Sequence, residues 1–228
     1  MKELVIIPAR AGSQRIKNKN IKKLNGKPLV EYSIDHAKSI FDNHKICVTT
    51  DCTKIKNIAL QKGLDVPFLR PKELSSDTSP TQDAIMHAID WYEKNQYIPD
   101  VVILLQPTSP LRDINDIKKA MEIFNMSIDM VVSVKKSKSN PYYNLFEEEN
   151  GFLYKSKKST VTRSQDGPEV WEFDGSIYII NVKSLKNKQI KDFTKIIKYE
   201  IKNPLRSVDV DDIIDFDYAE FVLKEKKI

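Results

Sequence analysis

Long apolar runs are absent from this 228-residue chain. No segment approaches the ~20 consecutive apolar residues of a membrane span. The run from Met1 to Ile7 stops at Pro8, too short for a signal-peptide core, and no small-residue cleavage site follows. A cytoplasmic location is the expectation. Cysteine is scarce: Cys47 and Cys52 have no second Cys or His pair, which argues against a zinc site and for two reduced thiols in or beside a strand. The three histidines, His36, His44 and His87, are scattered, and His36 and His87 fall in helical stretches as surface or packing residues. Glycine is also rare, with six in all, so each one in a loop invites a reason. The formal charge of +5 is mild and forms no dense basic stripe, which disfavours a non-specific nucleic-acid binder.

What is present alternates. Glu3–Pro8, Lys45–Thr50, Asp100–Gln106 and Asp129–Val134 are short, nearly continuous apolar runs, as expected of strands covered on both faces. Helical periodicity fills the gaps. One helix opens at Pro28, and another runs from Thr53 to a stop at Gly63. A third follows Ser79-Pro80, and a fourth is capped by Asp113. Asp211–Glu225 reads as a last amphipathic helix, and Lys224–Lys227 as a solvated charged tail. The alternation predicts an α/β sandwich around a mostly parallel sheet in a single domain spanning 1–228. Between about 140 and 180 the pattern changes. Tyr142–Glu148, Phe152–Lys155 and Ser176–Val182 read as strands with polar turns between them, which predicts an antiparallel arm.

Three stretches carry chemistry. After the first strand come Pro8-Ala9-Arg10-Ala11-Gly12-Ser13-Gln14-Arg15-Ile16-Lys17-Asn18-Lys19-Asn20. A small-residue loop at a strand end lets backbone N–H groups approach an anion. Arg10, Arg15, Lys17 and Lys19 supply the charge to neutralise a triphosphate. A basic surface turn also fits these residues. Neither common nucleotide loop does: Gly26-Lys27 is followed by Pro28 rather than Ser or Thr, and G-x-G-x-x-G is missing. The second stretch, Gln106-Pro107-Thr108-Ser109-Pro110-Leu111-Arg112, ends a central strand, where open α/β sheets bind ligands. Gln106 both donates and accepts, as reading a base edge requires, and Arg112 suits phosphate or carboxylate. A Pro-rich turn into the next helix is the plainer alternative. In the third, Ser207-Val208-Asp209-Val210-Asp211-Asp212, a strand would point Asp209 and Asp211 the same way, as a pair fit for Mg²⁺. Alternatively, Asp211 or Asp212 caps the next helix.

Together these stretches resemble the acylneuraminate cytidylyltransferase family, the synthetases of CMP–sialic acid and CMP–legionaminic acid. The likeness extends over nearly the whole chain through Thr50-Asp51, Leu69-Arg70-Pro71-Lys72-Glu73-Leu74 and Asp77-Thr78. The resemblance implies a three-layer α/β/α nucleotidyltransferase fold, a homodimer with the arm exchanged, and transfer of CMP from CTP to an acidic nine-carbon sugar. It implies a nucleotide site of Ala9, Arg10, Gly12, Ser13, Arg15, Lys19 and Asn20 with Arg70, Thr81 and Gln106 on the cytidine side. Arg10, Lys19, Asp209 and Asp211 would serve the chemistry, the two aspartates through Mg²⁺. The sugar would meet Arg112, Arg163, Gln165, Asp174 and Tyr178. No His or Cys lies in a motif, so no covalent intermediate is expected. Two departures stand out: Gln14 where the family has Lys, and Asp174 in Asp174-Gly175-Ser176-Ile177-Tyr178 where it has Asn. Asn140-Pro141-Tyr142-Tyr143-Asn144-Leu145 is similar to the legionaminate branch. The alternatives are an eight-carbon sugar or another nucleotidyl transfer on the same scaffold and, more remotely, a nucleotide-binding protein without activity.

Overall fold

The computed structural model describes residues 1–225; Lys226 and Lys227 of the charged tail lie outside the described residues. The predicted alternation of strand and helix forms a sandwich. β1 (Glu3–Pro8) leads through a short ribbon, β2 (Lys23–Leu24) and β3 (Lys27–Pro28), into α1 (Leu29–Lys38). β4 (Ile46–Thr49), α2 (Thr53–Gln61), α3 (Thr81–Lys94), β5 (Val101–Leu104), α4 (Ile114–Ile123) and β6 (Met130–Lys136) follow. After a hairpin, β7 (Phe146–Glu149) and β8 (Phe152–Lys155), the chain returns through β9 (Trp171–Asn181), α5 (Val182–Asn187), β10 (Ile196–Glu200) and α6 (Ile213–Lys224). The main sheet has the order β10-β6-β9-β5-β1-β4. All its pairings are parallel except those of β9, which is antiparallel to both β5 and β6.

Strand alternation sorts the core into two layers. Val5 and Ile7 face one side with Val30, Ile34 and Ala59, while Leu4 and Ile6 face the other with Ile85, Ala88 and Ile89. Helices therefore cover both faces, as the continuous apolar strands require. Each fully buried Leu, Ile or Val adds about 1.5–3 kcal/mol. A third cluster, of Ile16, Leu24, Leu29, Leu111, Val210 and Phe216, docks α6 beside the Arg10–Asn20 loop.

Helix ends follow the local chemistry. Asp113 Oδ1 accepts from Asn115 N at 2.8 Å at the start of α4. Gly63, at φ +76, follows α2. Asp212 rather than Asp211 caps α6, in a capping box with Asp215.

The expected arm needs correction. Only β7 and β8 stand off the sandwich, joined at Asn150 (φ 53) and Gly151 (φ 82), the left-handed pair that a tight hairpin turn requires. The stretch predicted as the arm's last strand is instead part of β9, in the middle of the main sheet. Ile177 and Ile179 face one core layer and Ile180 the other, so burial on both sides draws it in. The edge strand β10 was not predicted. Its mostly exposed run Ile196-Ile197-Lys198-Tyr199-Glu200 carries too little apolar pattern to read as a strand.

Candidate active site

A cleft of about 450 Å³ opens beyond the carboxyl ends of β1 and β5. Pro8, Gln106 and Pro107 mark where those strands end on it; the Arg10–Asn20 loop forms one wall, and residues from Arg70 to Ala84 form the other. Four cations line it, Arg10, Arg15, Lys19 and Arg70, against two carboxylates, Asp77 and Asp211.

The loop is held from inside. Asn20 is buried and its Nδ2 donates to Arg10 O at 2.9 Å, while Ala11 N donates to Asp51 Oδ1 at 2.8 Å. Asn18 turns the chain in the left-handed region (φ 56). Lys19 reaches across to the start of α6, where its Nζ donates to Val210 O at 2.8 Å and lies 3.3 Å from Asp211 Oδ1. Arg15 Nη1 lies 3.6 Å from Asp211 Oδ2. On the other wall, Arg70 is 6% exposed; its Nη2 donates to Thr49 O at 2.5 Å, but its buried Nε has no partner. A buried donor without an acceptor costs free energy unless a ligand fills it. Thr81, at the start of α3, and Gln106 complete the lining, with Thr108 Oγ1 3.4 Å from Gln106 Oε1.

Asp209 and Asp211 do not lie in a strand. They sit outside any sheet, with Val210 fully buried between them, and of the two only Asp211 lines the cleft. Asp209 lies behind the cleft on the bulged part of β9. A Cβ at Gly175, whose φ is +74, would stand 2.9 Å from Asp209 Oδ2. Burial pushes the Asp209 carboxyl up, against a hydrogen bond from Thr108, and Oδ1 is buried without a partner. An orphaned carboxylate oxygen beside a second carboxylate fits Mg²⁺, which takes one or two carboxylates together with phosphate and water. Among the described residues no group of three or more His, Cys, Asp or Glu converges, so the pair is the candidate donor set.

The fold and the sequence both match known proteins. A family model described as "Cytidylyltransferase" matches residues 4–228. The chain belongs to the cytidylyltransferase family. It is 36% identical over 232 residues to the post-translational flagellin modification protein B of Campylobacter coli, covering 99% of this chain and 96% of that one. It is 32% identical over 228 residues to the CMP-N,N'-diacetyllegionaminic acid synthase of Legionella pneumophila, covering 98% and 97%. The fold matches a solved CMP:2-keto-3-deoxy-manno-octonic acid synthetase complexed with CTP, with a TM-score of 0.73, 14% identity and coverage of 99% and 100%. As a member of this family, the chain is a nucleotidyltransferase.

Against that family frame the predicted residues divide. Arg10, Ser13, Arg15, Lys19, Asn20, Arg70, Thr81, Gln106 and Asp211 line the cleft. Ala9 is fully buried in the core. Gly12 lies off the cleft lining, and a Cβ there would meet nothing within 4 Å, so packing within the chain does not require glycine. Arg112 is a correction. It is 5% exposed and fully engaged inside: Nε donates to Ser176 O at 2.9 Å, Nη2 to Gln106 O at 2.8 Å and Nη1 to Ser33 Oγ at 3.1 Å. It braces the Gln106 loop against β9 and presents nothing to a sugar. Asp174 is likewise buried, accepting from Ser133 Oγ at 2.5 Å and from Ser176 N at 3.0 Å, with Oδ2 unpartnered. Tyr178 is half-buried against Phe173; burial, then the charges of Asp209 and Asp174, push its phenol up to about 12. Arg163 and Gln165 are exposed on the loop between the hairpin and β9, where Arg163 Nε donates to Asp166 Oδ2 at 2.8 Å. Sequence reasoning assigned no role to Gln14, Ser76, Asp77, Ser79 or Thr108, all on the cleft. The polar run Ser75-Ser76-Asp77-Thr78-Ser79 between Leu74 and Pro80 was the available signal.

Proposed function

We propose that this enzyme transfers CMP from CTP to the anomeric hydroxyl of an acidic nine-carbon 2-keto-3-deoxy sugar, of the legionaminic or sialic acid type, with release of pyrophosphate. The observation that carries the reading is the gathering of Arg10, Arg15, Lys19 and Arg70 around one cleft that Gln106 and Asp211 also line. Cations collected in a cleft suit a compact polyanion rather than a polynucleotide, which would call for a basic surface stripe.

Gln106 offers a donor and an acceptor to the cytosine edge, and Arg70 and Thr81 flank it. Arg10, Arg15 and Lys19 neutralise the triphosphate and stabilise the charge that develops on the departing pyrophosphate. Asp209 and Asp211 would hold Mg²⁺, which when bound supplies Lewis-acid polarisation of phosphate oxygens. The bulge at Asp174–Ser176 packs against Asp209 and backs the side of the cleft that Asp211 lines. The match to a legionaminate synthase and the Asn140–Leu145 segment support the legionaminate type.

The exposed Phe146, Phe152, Leu153 and Tyr154 of the hairpin support a homodimer in which each arm covers the other copy, bringing Arg163 and Gln165 toward the partner's sugar site. Among the described residues no helix is long and apolar enough to cross a membrane. CTP is a cytoplasmic nucleotide, and we place the reaction in that compartment.

The test is pyrophosphate release from CTP and Mg²⁺ with a panel of acids: N-acetylneuraminate, legionaminate, pseudaminate, deaminoneuraminate and the eight-carbon 3-deoxy-octulosonate. Release with one nine-carbon acid establishes the reaction and its substrate. Release with the eight-carbon acid alone overturns the sugar class.

A further inference from the structure

The two walls of the cleft are joined at its mouth by one carboxylate. Asp77 Oδ1 lies 2.6 Å from Arg10 Nη2, and Asp77 Oδ2 accepts from Gln14 Nε2 at 2.5 Å. Arg10 Nη1 also donates to Ser75 O at 3.4 Å. The segment that presents Asp77 is tied to itself: Ser79 Oγ donates to Glu73 O at 2.7 Å and lies 2.6 Å from Ser76 Oγ. The hydrogen bond from Gln14 and the adjoining Arg10 hold the Asp77 carboxyl below the usual carboxylate range, so it is charged at neutral pH.

A negative group at the entrance of a site for a polyanion repels that ligand, so its presence calls for a compensating role. Arg10 supplies one. A guanidinium carries five N–H donors in a fixed fork. Asp77 and Ser75 engage two of them, which leaves the rest for a ligand while the long side chain is fixed in direction. Fixing it before binding removes the rotamer entropy that a free arginine loses on contact. Gln14 extends the tie to the far side of the loop, so Asp77 holds both ends of residues 10–14 against the wall that carries Arg70 and Thr81.

We propose that Asp77 is a positioning residue for the nucleotide: it aims Arg10 at the polyphosphate and locks the phosphate loop against the cytidine-side wall. This rests on reading the cleft as a nucleoside-triphosphate site. It also gives Gln14 a role, as the neutral second partner of Asp77.

Calorimetric titration of the full chain with CTP and with cytidine tests it, alongside steady-state kinetics. Asp77→Asn is expected to weaken CTP about tenfold, the scale of one charge-assisted contact. Cytidine affinity and the melting temperature should stay unchanged, with the loss falling on the KM for CTP rather than on kcat. Asp77→Glu should restore part of it. In an Arg10→Gln background, Asp77→Asn should cost nothing more, because the two act as a unit. Equal or tighter CTP binding by Asp77→Asn overturns the proposal and makes Asp77 a counter-ion that the ligand displaces. An equal loss for CTP and cytidine also overturns it, since the wall itself would then have shifted. Failure of the unmodified protein to bind CTP at all overturns the nucleotide reading, and this inference with it.

Discussion

β1 and β8 are both short and rich in large apolar residues, yet they meet opposite fates. In β1, Leu4, Val5, Ile6 and Ile7 are fully buried, whereas in β8 Phe152, Leu153 and Tyr154 are 67, 68 and 55% exposed. The difference lies in what stacks on each strand. β1 has a strand on either side and helices over both faces, while β8 has only β7. A two-stranded hairpin alone is marginal in water. Apolar content therefore creates a demand for cover, and only topology decides where the cover comes from. For β1 it comes from this chain. For β8, only β7 among the described residues pairs with it, and this exposure is what the proposed second copy would cover.

The comparison can be broken most forcefully at the cleft that the sandwich builds. Lys19→Ala removes a cation that β1 and its loop hold in place, and pyrophosphate release with CTP and the accepted sugar is expected to fall ~10²–10³-fold. The melting temperature should move far less than for a core substitution. A fall below tenfold would show that Arg10 and Arg15 carry the charge without it.

Next in size is the core itself. Ile103, fully buried on β5, should lose about 2–5 kcal/mol as Ile103→Ala, measured by urea unfolding. The matching change on the hairpin, Leu153→Ala, should cost less than about 0.5 kcal/mol in the dissociated protein. Light scattering should show Leu153→Asp weakening self-association while leaving the sandwich's melting temperature within a few degrees. Equal stability losses at the two sites would mean that the hairpin packs on its own sandwich.

A smaller effect separates the two regions by pH. His36, in the sandwich, is held neutral: burial first, then Arg112 and Lys27, bring its pKa from 6.5 to about 3, against the pull of Asp35. The unfolded chain takes up a proton there that the folded chain refuses, so stability is complete above pH 6.5 and declines as pH falls toward 3. Asp129 acts in the same direction. Burial pushes its carboxyl up, but Lys188, Ser184 and the backbone N–H groups of Lys195 and Thr194 outweigh this and hold it well below the usual range. Its contribution is present above the ordinary carboxylate pKa and is lost as pH drops further. Melting temperatures between pH 7.5 and 5 should fall for the unmodified protein and flatten for His36→Gln. An unchanged slope would place the titrating group elsewhere.

The same contrast explains what was legible in the sequence. β1, β4, β5 and β6 announce themselves because burial on both faces writes an unbroken apolar run. β9 was misassigned because its buried half follows a start in which Glu172 and Phe173 are exposed, and the change between them is a bulge with no periodic signature. β10 leans on Lys198, whose Nζ lies over the Trp171 ring at 3.1 Å, a contact between distant segments that no local window contains. At the site, the cations of the loop were readable as charge density. Arg112 was misread because an arginine beside a binding motif looks the same whether it turns outward or, as here, spends its donors on Gln106, Ser33 and Ser176. Asp77 lies within the Asp77-Thr78 motif but drew no role, since its partners at positions 10 and 14 are brought to it only by folding.

The close approach at Gly175 has a genetic consequence. Any side chain there would be strained at φ +74 and would strike the Asp209 carboxylate. A lesion at 175 should therefore copy the phenotype of a lesion at 209, although the two codons lie far apart. Combining them should add little to either alone, and a survey of inactivating alleles would group the pair before any assay revealed why.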